Sequence, residues 1–428
     1  MKNPPAQSPC YTSLSADFER SVVDDLMARA LESKNLLSIA AGFTDNAKMP
    51  AELVGNAVAE LVKDGCDDVF QYGSNQGRPA LRGRCLEVLG KHPGESLHAI
   101  DKSGESVLIS NGSQQTMYLA MQTLCYPGDI VLVQAPTYFV FVELARGLGI
   151  DLRAMPTTEI GGIDFDALPE FLESLRESNE IERVKAVYFV SYFANPTGYS
   201  LSREEKRGLA ARLIERELYL PIIEDAAYRE LWFGAPAEAP SILSMPEFDA
   251  FPKLYLGTFT KPFATGMKVG YGAFSDLGWM QRCARLKSHQ DFGTANFNQA
   301  IIEKVVLSEE WERFQAQLRE HYTQKRDAFV AALDVTDLAE RGFKWEIPQG
   351  GLLLWARGPF NLDTGMHSKL FEQALAEDVL YVPGSVCMPH KDVAVSTMRL
   401  SYGALDAGLF PEALARLGRA IERSAKEL

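Results

Sequence analysis

The chain has 428 residues, 46% of them hydrophobic and 23% charged, a formal net charge of −14 and six cysteines. That length suits one large α/β domain with a satellite, or two to three domains. The acid excess argues against non-specific nucleic-acid binding, no cysteines stand at CxxC spacing for zinc or a disulfide framework, and no apolar run approaches the roughly 20 residues that cross a bilayer.

The first segment, "ADFERSVVDDLMARALES", carries helix-spaced apolar residues at Phe18, Val22, Leu26 and Ala30. Strands and amphipathic helices then alternate from about residue 50 to 300, the pattern of a mostly parallel sheet covered on both faces. Ligands of such sheets bind at the carboxyl ends of the strands, so the residues after each strand matter most. After "SVLIS" (106–110) comes "NGSQQ", with Ser113 expected as a helix N-cap beside an anion site. After "DIVLVQAP" (129–136) comes Tyr138. After "KAVYFVSY" (185–192) comes "ANPTG", with Asn195, and "LPIIED" (220–225) ends on Glu224 and Asp225, with Tyr228 beyond.

The strand "KLYLGTF" (253–259) runs into Thr260 and Lys261, and the strand "VGYGAF" (269–274) is preceded by Lys268. A lysine at a buried strand's end loses hydration, its pKa falls, and its amine becomes a nucleophile or base. A long helix is expected around 300–333. The remainder reads as a smaller α+β unit: strand "GLLLWAR", helix "SKLFEQALAED", strand "VLYVPG", strand "TMRLSY" with Arg399, and a last helix "FPEALARLGRAIERSAKEL". An arginine there can grip a carboxylate through two parallel hydrogen bonds.

Each residue has an ordinary reading when taken singly. Ser113 is a cap, Tyr138 a core aromatic, Asn195 a turn starter, Asp225 a solvated strand-end acid and Arg399 a surface ion pair. Together they describe one ligand. It has a phosphate for Ser113, Thr258 and Lys268, a ring to stack on Tyr138, and a ring cation for Asp225. It also has a ring oxygen for Asn195 and Tyr228 and an aldehyde for Lys261. Pyridoxal 5′-phosphate carries all of these groups. The six histidines form no HExxH or similar cluster, so no metal site is expected, and no GxGxxG follows an early strand.

The motifs "LLSIAAGF", "FQYGSNQGRPALR", "NGSQQ", "YPGDIVLVQAPTY", "ANPTG", "EDAAY", "TFTKPFATGMKVGY", "PQGGLLLW" and "YVPGS" stand in the order of a known family. The chain resembles a class I/II aminotransferase of the fold-type I pyridoxal-phosphate enzymes, in the branch acting on aminoadipate, kynurenine, aromatic or branched-chain amino acids. The resemblance implies a large domain over 46–314, with a mostly parallel seven-stranded sheet sandwiched by helices. It implies a smaller α+β domain from 1–45 and 315–428. It implies transamination from an amino acid to a 2-oxo acid by a ping-pong route, with a Schiff base on Lys261 as proton shuttle. Asp225 would hold the ring nitrogen protonated, Asn195 and Tyr228 the ring oxygen, and Tyr138 the ring face. Ser113, Gln114, Thr258 and Lys268 would hold the phosphate, with Tyr72 reaching it from the neighbouring subunit of a homodimer. Arg399 would clamp the substrate carboxylate, with Gly42 and Asn195 lining the same end.

Lys268 stands where many members have arginine, and Thr258 and Thr260 where many have serine. A carbon–sulfur lyase or decarboxylase on the same fold remains the alternative, because the bond broken depends on substrate orientation and not on fold or cofactor; turnover without an added 2-oxo acid would mark a lyase. A non-catalytic sensor is disfavoured, because only about 35 residues precede "LLSIAAGF", too few for a winged DNA-binding module. A cytoplasmic location is expected from the scattered cysteines and the absence of a signal-peptide core near the start. A second arginine for a distal substrate carboxylate is not fixed by the sequence; Arg20 and Arg285 are open.

Overall fold

The computed structural model describes Ala28 and residues 35–65, 67–306, 308–359, 361–390 and 396–426. Of the helix expected over the first segment only Ala28 is described, in helical conformation; Arg20 lies outside the described residues. Strand β1 (Leu37–Ser38) precedes helices α1 (Ala51–Lys63) and α2 (Pro79–Gly90). Then come β2 (Val107–Asn111), α3 (Gly112–Leu124), β3 (Ile130–Gln134), α4 (Phe139–Gly147), β4 (Asp151–Met155) and α5 (Leu168–Glu177). Next are β5 (Val184–Val190), α6 (Arg203–Ile214), β6 (Ile222–Asp225), β7 (Lys253–Thr258) and β8 (Val269–Phe274). Helices α7 (Leu277–Gln290), α8 (Asn296–Val306) and α9 (Glu309–Asp334) follow. The remainder holds β9 (Lys344–Trp345), β10 (Leu353–Arg357), α10 (Lys369–Ala376), β11 (Val379–Leu380), β12 (Val382–Pro383), β13 (Thr397–Ser401) and α11 (Phe410–Lys426).

Seven strands form one sheet in the order β2-β8-β7-β6-β5-β3-β4. Every pairing is parallel except those of β8, which runs against both neighbours. The other six strands therefore point one way, and their carboxyl ends line one edge of the sheet. Both faces are covered, as a parallel sheet requires. Along β3, Val131 and Val133 pack with Met117 of α3 and Phe141 of α4, while Ile130 and Leu132 pack with Leu172 of α5 and Leu209 of α6. Helix α6 begins with a capping box between Ser202 and Glu205, worth about 1 kcal/mol.

Several features depart from the sequence reading: β1 and β9 were not expected, and the single strand expected over "VLYVPG" is two short strands, β11 and β12, in different sheets. The strand β4 was not expected, because it sits at the sheet edge and carries Asp151 and Arg153. Those charges find partners along the edge, Arg183 to Asp151 at 2.8 Å and Arg153 to Glu180 at 2.7 Å, and they hide the apolar pattern that marks the inner strands. The helix expected over 300–333 is two helices, α8 and α9, with Ser308 as the N-cap of the second.

Helix α9 spans 26 residues and runs unbroken through position 314. Its Trp311 meets Phe259 just beyond β7, and its Phe329 meets Phe410 of α11. A four-stranded sheet, β12-β13-β10-β9, and the parallel pair β1-β11 lie beyond the large sheet. No helix among the described residues is long and apolar enough to cross a membrane.

Candidate active site

Strand β7 is buried along its whole length. Three residues past its end, Lys261 Nζ donates to the carbonyl of Gly42 at 2.7 Å and lies 5.6 Å from the centre of the Tyr228 ring. Burial, with the Arg399 charge adding to it, lowers its pKa from 10.5 to about 8. About a tenth of this amine is therefore unprotonated at pH 7, far more than for an ordinary lysine, as a nucleophile needs.

Glu224 and Asp225, adjacent at the end of β6, have opposite fates. Glu224 accepts from Lys206 Nζ at 2.7 Å, from Ser191 Oγ at 2.5 Å and from the Ile242 amide at 2.9 Å. Its charge is matched, and neither Glu224 nor Lys206 reaches solvent. Asp225 accepts from Tyr188 Oη at 2.9 Å and from the Ala227 amide at 3.0 Å, with no ion pair among the described residues. Burial raises its pKa from 3.8 to about 6, with the Glu224 charge adding to the rise and the two hydrogen bonds opposing it. A buried carboxylate with two neutral donors and no counter-ion is complementary to a cation brought in by a ligand.

Arg399 is the mirror case. It sits on β13 and is only 3% exposed, which removes the surface-ion-pair reading. Its guanidinium donates to Asn195 Oδ1 at 3.0 Å and to the Ala40 carbonyl at 2.6 Å, and lies 4.9 Å from the centre of the Phe139 ring. Its Nε is buried without a partner, and no carboxylate pairs with the group among the described residues. Burial lowers its pKa. Tyr228 belongs to the same neighbourhood: a Cβ on Gly42 would stand 3.8 Å from its hydroxyl and 3.9 Å from Arg399 Nη2. Burial lifts the Tyr228 phenol to about 12 against the pull of Arg399. Tyr138, the N-cap of α4, has its pKa raised by burial and then by the Tyr228 and Asp225 charges.

The start of α3 corrects one expectation. Asn111 is the N-cap, making no side-chain cap bond, and Ser113 lies inside the first turn with Gln114 exposed beside it. The helix start rests directly on β8: a Cβ at Gly270 would stand 2.3 Å from the Ser113 amide nitrogen. Glycine is required there for close approach, whereas Gly266, in the loop before β8, has open space around it. Thr258 Oγ1 and Thr260 Oγ1 are 2.8 Å apart, and a Cβ on Gly112 would lie 3.9 Å from Thr260. Lys268 is exposed in left-handed backbone, φ 54°. Tyr72 is 79% exposed, packed edge-on to Phe292. Arg285 is exposed on α7.

The sequence profile of the family described as "Aminotransferase class I and II" matches residues 36–417. This chain belongs to that family. It is 30% identical over 406 residues to a 2-aminoadipate transaminase of Thermus thermophilus, covering 95% of this chain and 94% of the relative. It is 28% identical over 417 residues to aromatic-amino-acid aminotransferase 1 of Thermococcus litoralis, covering 97% and 95%. The crystal structure of an α-aminoadipate aminotransferase of Thermus thermophilus, complexed with N-(5′-phosphopyridoxyl)-L-leucine, superposes with a TM-score of 0.81 at 28% identity, covering 98% of both chains. The protein is thus a pyridoxal-phosphate-dependent aminotransferase with the fold-type I architecture.

The aminotransferase's own residues fit that cofactor. Asp225 is a buried acid without a cation, Lys261 a half-buried side chain whose amine has a lowered pKa, and the α3 start, seated against Gly270, carries no side-chain cap from Asn111. Sequence reasoning missed Tyr188, the hydroxyl donor to Asp225. A tyrosine inside an apolar strand is ordinary; only the pairing of β5 with β6, Tyr188 opposite Ile223 and Val190 opposite Asp225, puts it on the acid's face. It also missed the Lys206–Glu224 pair, which decides which of two neighbouring acids remains unmatched.

Proposed function

We propose that the aminotransferase takes amino donors with apolar, aromatic or aminoadipate-like side chains and that Lys261, Asp225 and Arg399 carry its chemistry. Arg399 supports the reading most strongly: a buried guanidinium with an unpartnered Nε and no carboxylate of its own binds the carboxylate of a substrate. Phe139 against that guanidinium supplies an apolar wall, and Arg285 stands on the surface, away from a role at a distal acid.

Pyridoxal 5′-phosphate, when bound, supplies an electron sink for negative charge at the substrate's alpha carbon and carries the amino group between half-reactions. Lys261 holds the cofactor through its amine and moves the proton at the alpha carbon. Asp225, oriented by Tyr188 and the Ala227 amide, keeps the ring nitrogen protonated. Asn195 and Tyr228 hold the ring oxygen, and Tyr138 covers the ring face. Ser113, Gln114, Thr258 and Lys268 bind the phosphate, the α3 amides adding the partial positive charge of a helix start. Gly42 and Asn195 line the carboxylate end beside Arg399.

Tyr72, exposed with Phe70 and Phe292 nearby in sequence or contact, fits a phosphate contact made across a homodimer. Residues 46–314 are assigned to the cofactor domain and 1–45 with 315–428 to the small one, supported by the pairing of β1 with β11. The enzyme is assigned to the cytoplasm.

The test is a panel of amino donors against 2-oxoglutarate and pyruvate, following the absorbance of the Lys261-bound cofactor. Turnover with leucine, phenylalanine or aminoadipate, strictly dependent on added oxo acid, supports the assignment. Product formed without any oxo acid contradicts it. Lys261→Ala abolishes turnover and leaves non-covalent cofactor binding, and Arg399→Ala chiefly raises KM for the donor.

A further inference from the structure

Asp291, the C-cap of α7, stands where a helix disfavours it, because an acid there meets the negative end of the helix dipole. Its partners show what else it does. Lys287 Nζ, one turn back and buried, donates to its two oxygens at 2.8 and 2.7 Å. The Gly293 amide donates at 2.9 Å. Further donors come from the start of α3: Asn111 Nδ2 at 2.7 Å and Gln115 Nε2 at 2.8 Å. Burial alone would raise the Asp291 pKa, but the bonds from Lys287, Gln115 and the Gly293 amide outweigh it. The group is therefore a carboxylate, which only accepts.

An asparagine at an N-cap ordinarily turns its side-chain oxygen onto the amide of the second or third helical residue. Asn111 does not. Its side-chain nitrogen is drawn to Asp291, and its own amide donates to Gln115 Oε1 at 2.9 Å. A cap in the ordinary form would occupy the Ser113 or Gln114 amide, the groups assigned above to the phosphate. We propose that Asp291 is a positioning residue for the cofactor's phosphate: it holds the Asn111 side chain away from the α3 amides and so keeps them open to the anion.

This role rests on the assignment of the phosphate to the start of α3. Charge alone gives the opposite sign, since an acid near the site repels a phosphate and its removal would tighten binding. Lys287, paired to the same carboxylate, matches that charge and leaves the steering of Asn111 as the larger effect.

The test compares the affinity of apoenzyme for pyridoxal 5′-phosphate with that for pyridoxal, which lacks the phosphate, read by absorbance of the Lys261-bound form. In Asp291→Ala the released Asn111 caps α3 and competes with the phosphate. Pyridoxal phosphate then binds about three- to tenfold more weakly, the range one cap supplies, while pyridoxal binds as before. Adding Asn111→Ala to Asp291→Ala removes the competitor and restores affinity to within about twofold of native. A loss shared equally by pyridoxal, a double variant no better than Asp291→Ala, or tighter binding in Asp291→Ala would each overturn the proposal. If Asp291→Ala, which leaves Lys287 buried without its acid, does not fold, Lys287→Met with Asp291→Leu takes its place, with and without Asn111→Ala. Gly270→Ala separates the two kinds of failure, because it displaces the same amides. A loss there with none in Asp291→Ala defeats the role of Asp291 alone; no loss in either takes the phosphate off α3 and this proposal with it.

Discussion

At the scale of single residues, the site is defined by charges that the protein itself leaves unbalanced. Lys261 titrates near 8 because it is buried close to Arg399. The rate at which apoenzyme captures pyridoxal phosphate therefore rises as pH rises through about 8, where the amine loses its proton. Stopped-flow absorbance reads this; a rate climbing only toward the ordinary lysine value would refute the lowered pKa. Asp225 shifts the other way, from 3.8 to about 6. Between those values the folded apoenzyme holds a proton that the unfolded chain has lost, so its stability falls as pH rises across the window. Cofactor binding compensates, and the gap between apo and holo melting temperatures widens over the same range. Tyr188→Phe removes a hydrogen bond to the charged form and raises the Asp225 pKa further, by about one unit for a bond worth about 1.5 kcal/mol. The acid limb of cofactor affinity moves to higher pH by that amount, and a limb that stays put shows that Tyr188 does not tune the acid.

At the scale of elements, the close seat of α3 on β8 is the most demanding contact. Gly270→Ala drives a methyl into the Ser113 amide, so the helix start must move. Overpacking of this kind costs about 1–3 kcal/mol, and cofactor affinity drops with the displaced amides, measured by titration of apoenzyme with pyridoxal phosphate. Unaltered affinity and melting would mean that α3 has room to shift. The inner strands were legible because both faces are buried and their residues run apolar without interruption, β7 and β8 most clearly. The edge strand β4 was not, since its alternating charges answer to solvent. The lysine, the acid and the arginine could be read as positions after strands. Their state of charge could not, because Lys206, Tyr188 and the Ala40 carbonyl come from elsewhere in the sequence and leave no local pattern. The N-cap expected at Ser113 lies at Asn111 instead, and the left-handed Gly112, φ +68°, stands between the two, a backbone feature that leaves no local pattern beyond the glycine itself.

At the scale of the whole molecule, α9 ties the segment after β1 to the rest. Lys325 donates to Asp45 at 2.7 Å and to the Gly403 carbonyl at 2.9 Å, and His321 meets the same Asp45 oxygen at 3.0 Å. Burial alone would raise the Asp45 pKa, but the bonds from Lys325, the Ala47 amide and His321 outweigh it and the net shift is downward. That contribution is present at neutral pH and is lost as pH falls below the ordinary 3.8. Lys325→Met leaves the acid without its cation and destabilises the fold by about 3 kcal/mol, read in urea unfolding. KM for the amino donor rises, because the segment carrying Ala40 and Gly42 also holds Arg399 and Lys261. An unchanged KM would separate the clamp from the site. The contact of Ala40 with Arg399 spans 359 positions of the chain. The carboxylate clamp therefore cannot be completed on a growing polypeptide until the part carrying Arg399 has left the ribosome and can meet Ala40, however early the sheet strands are made.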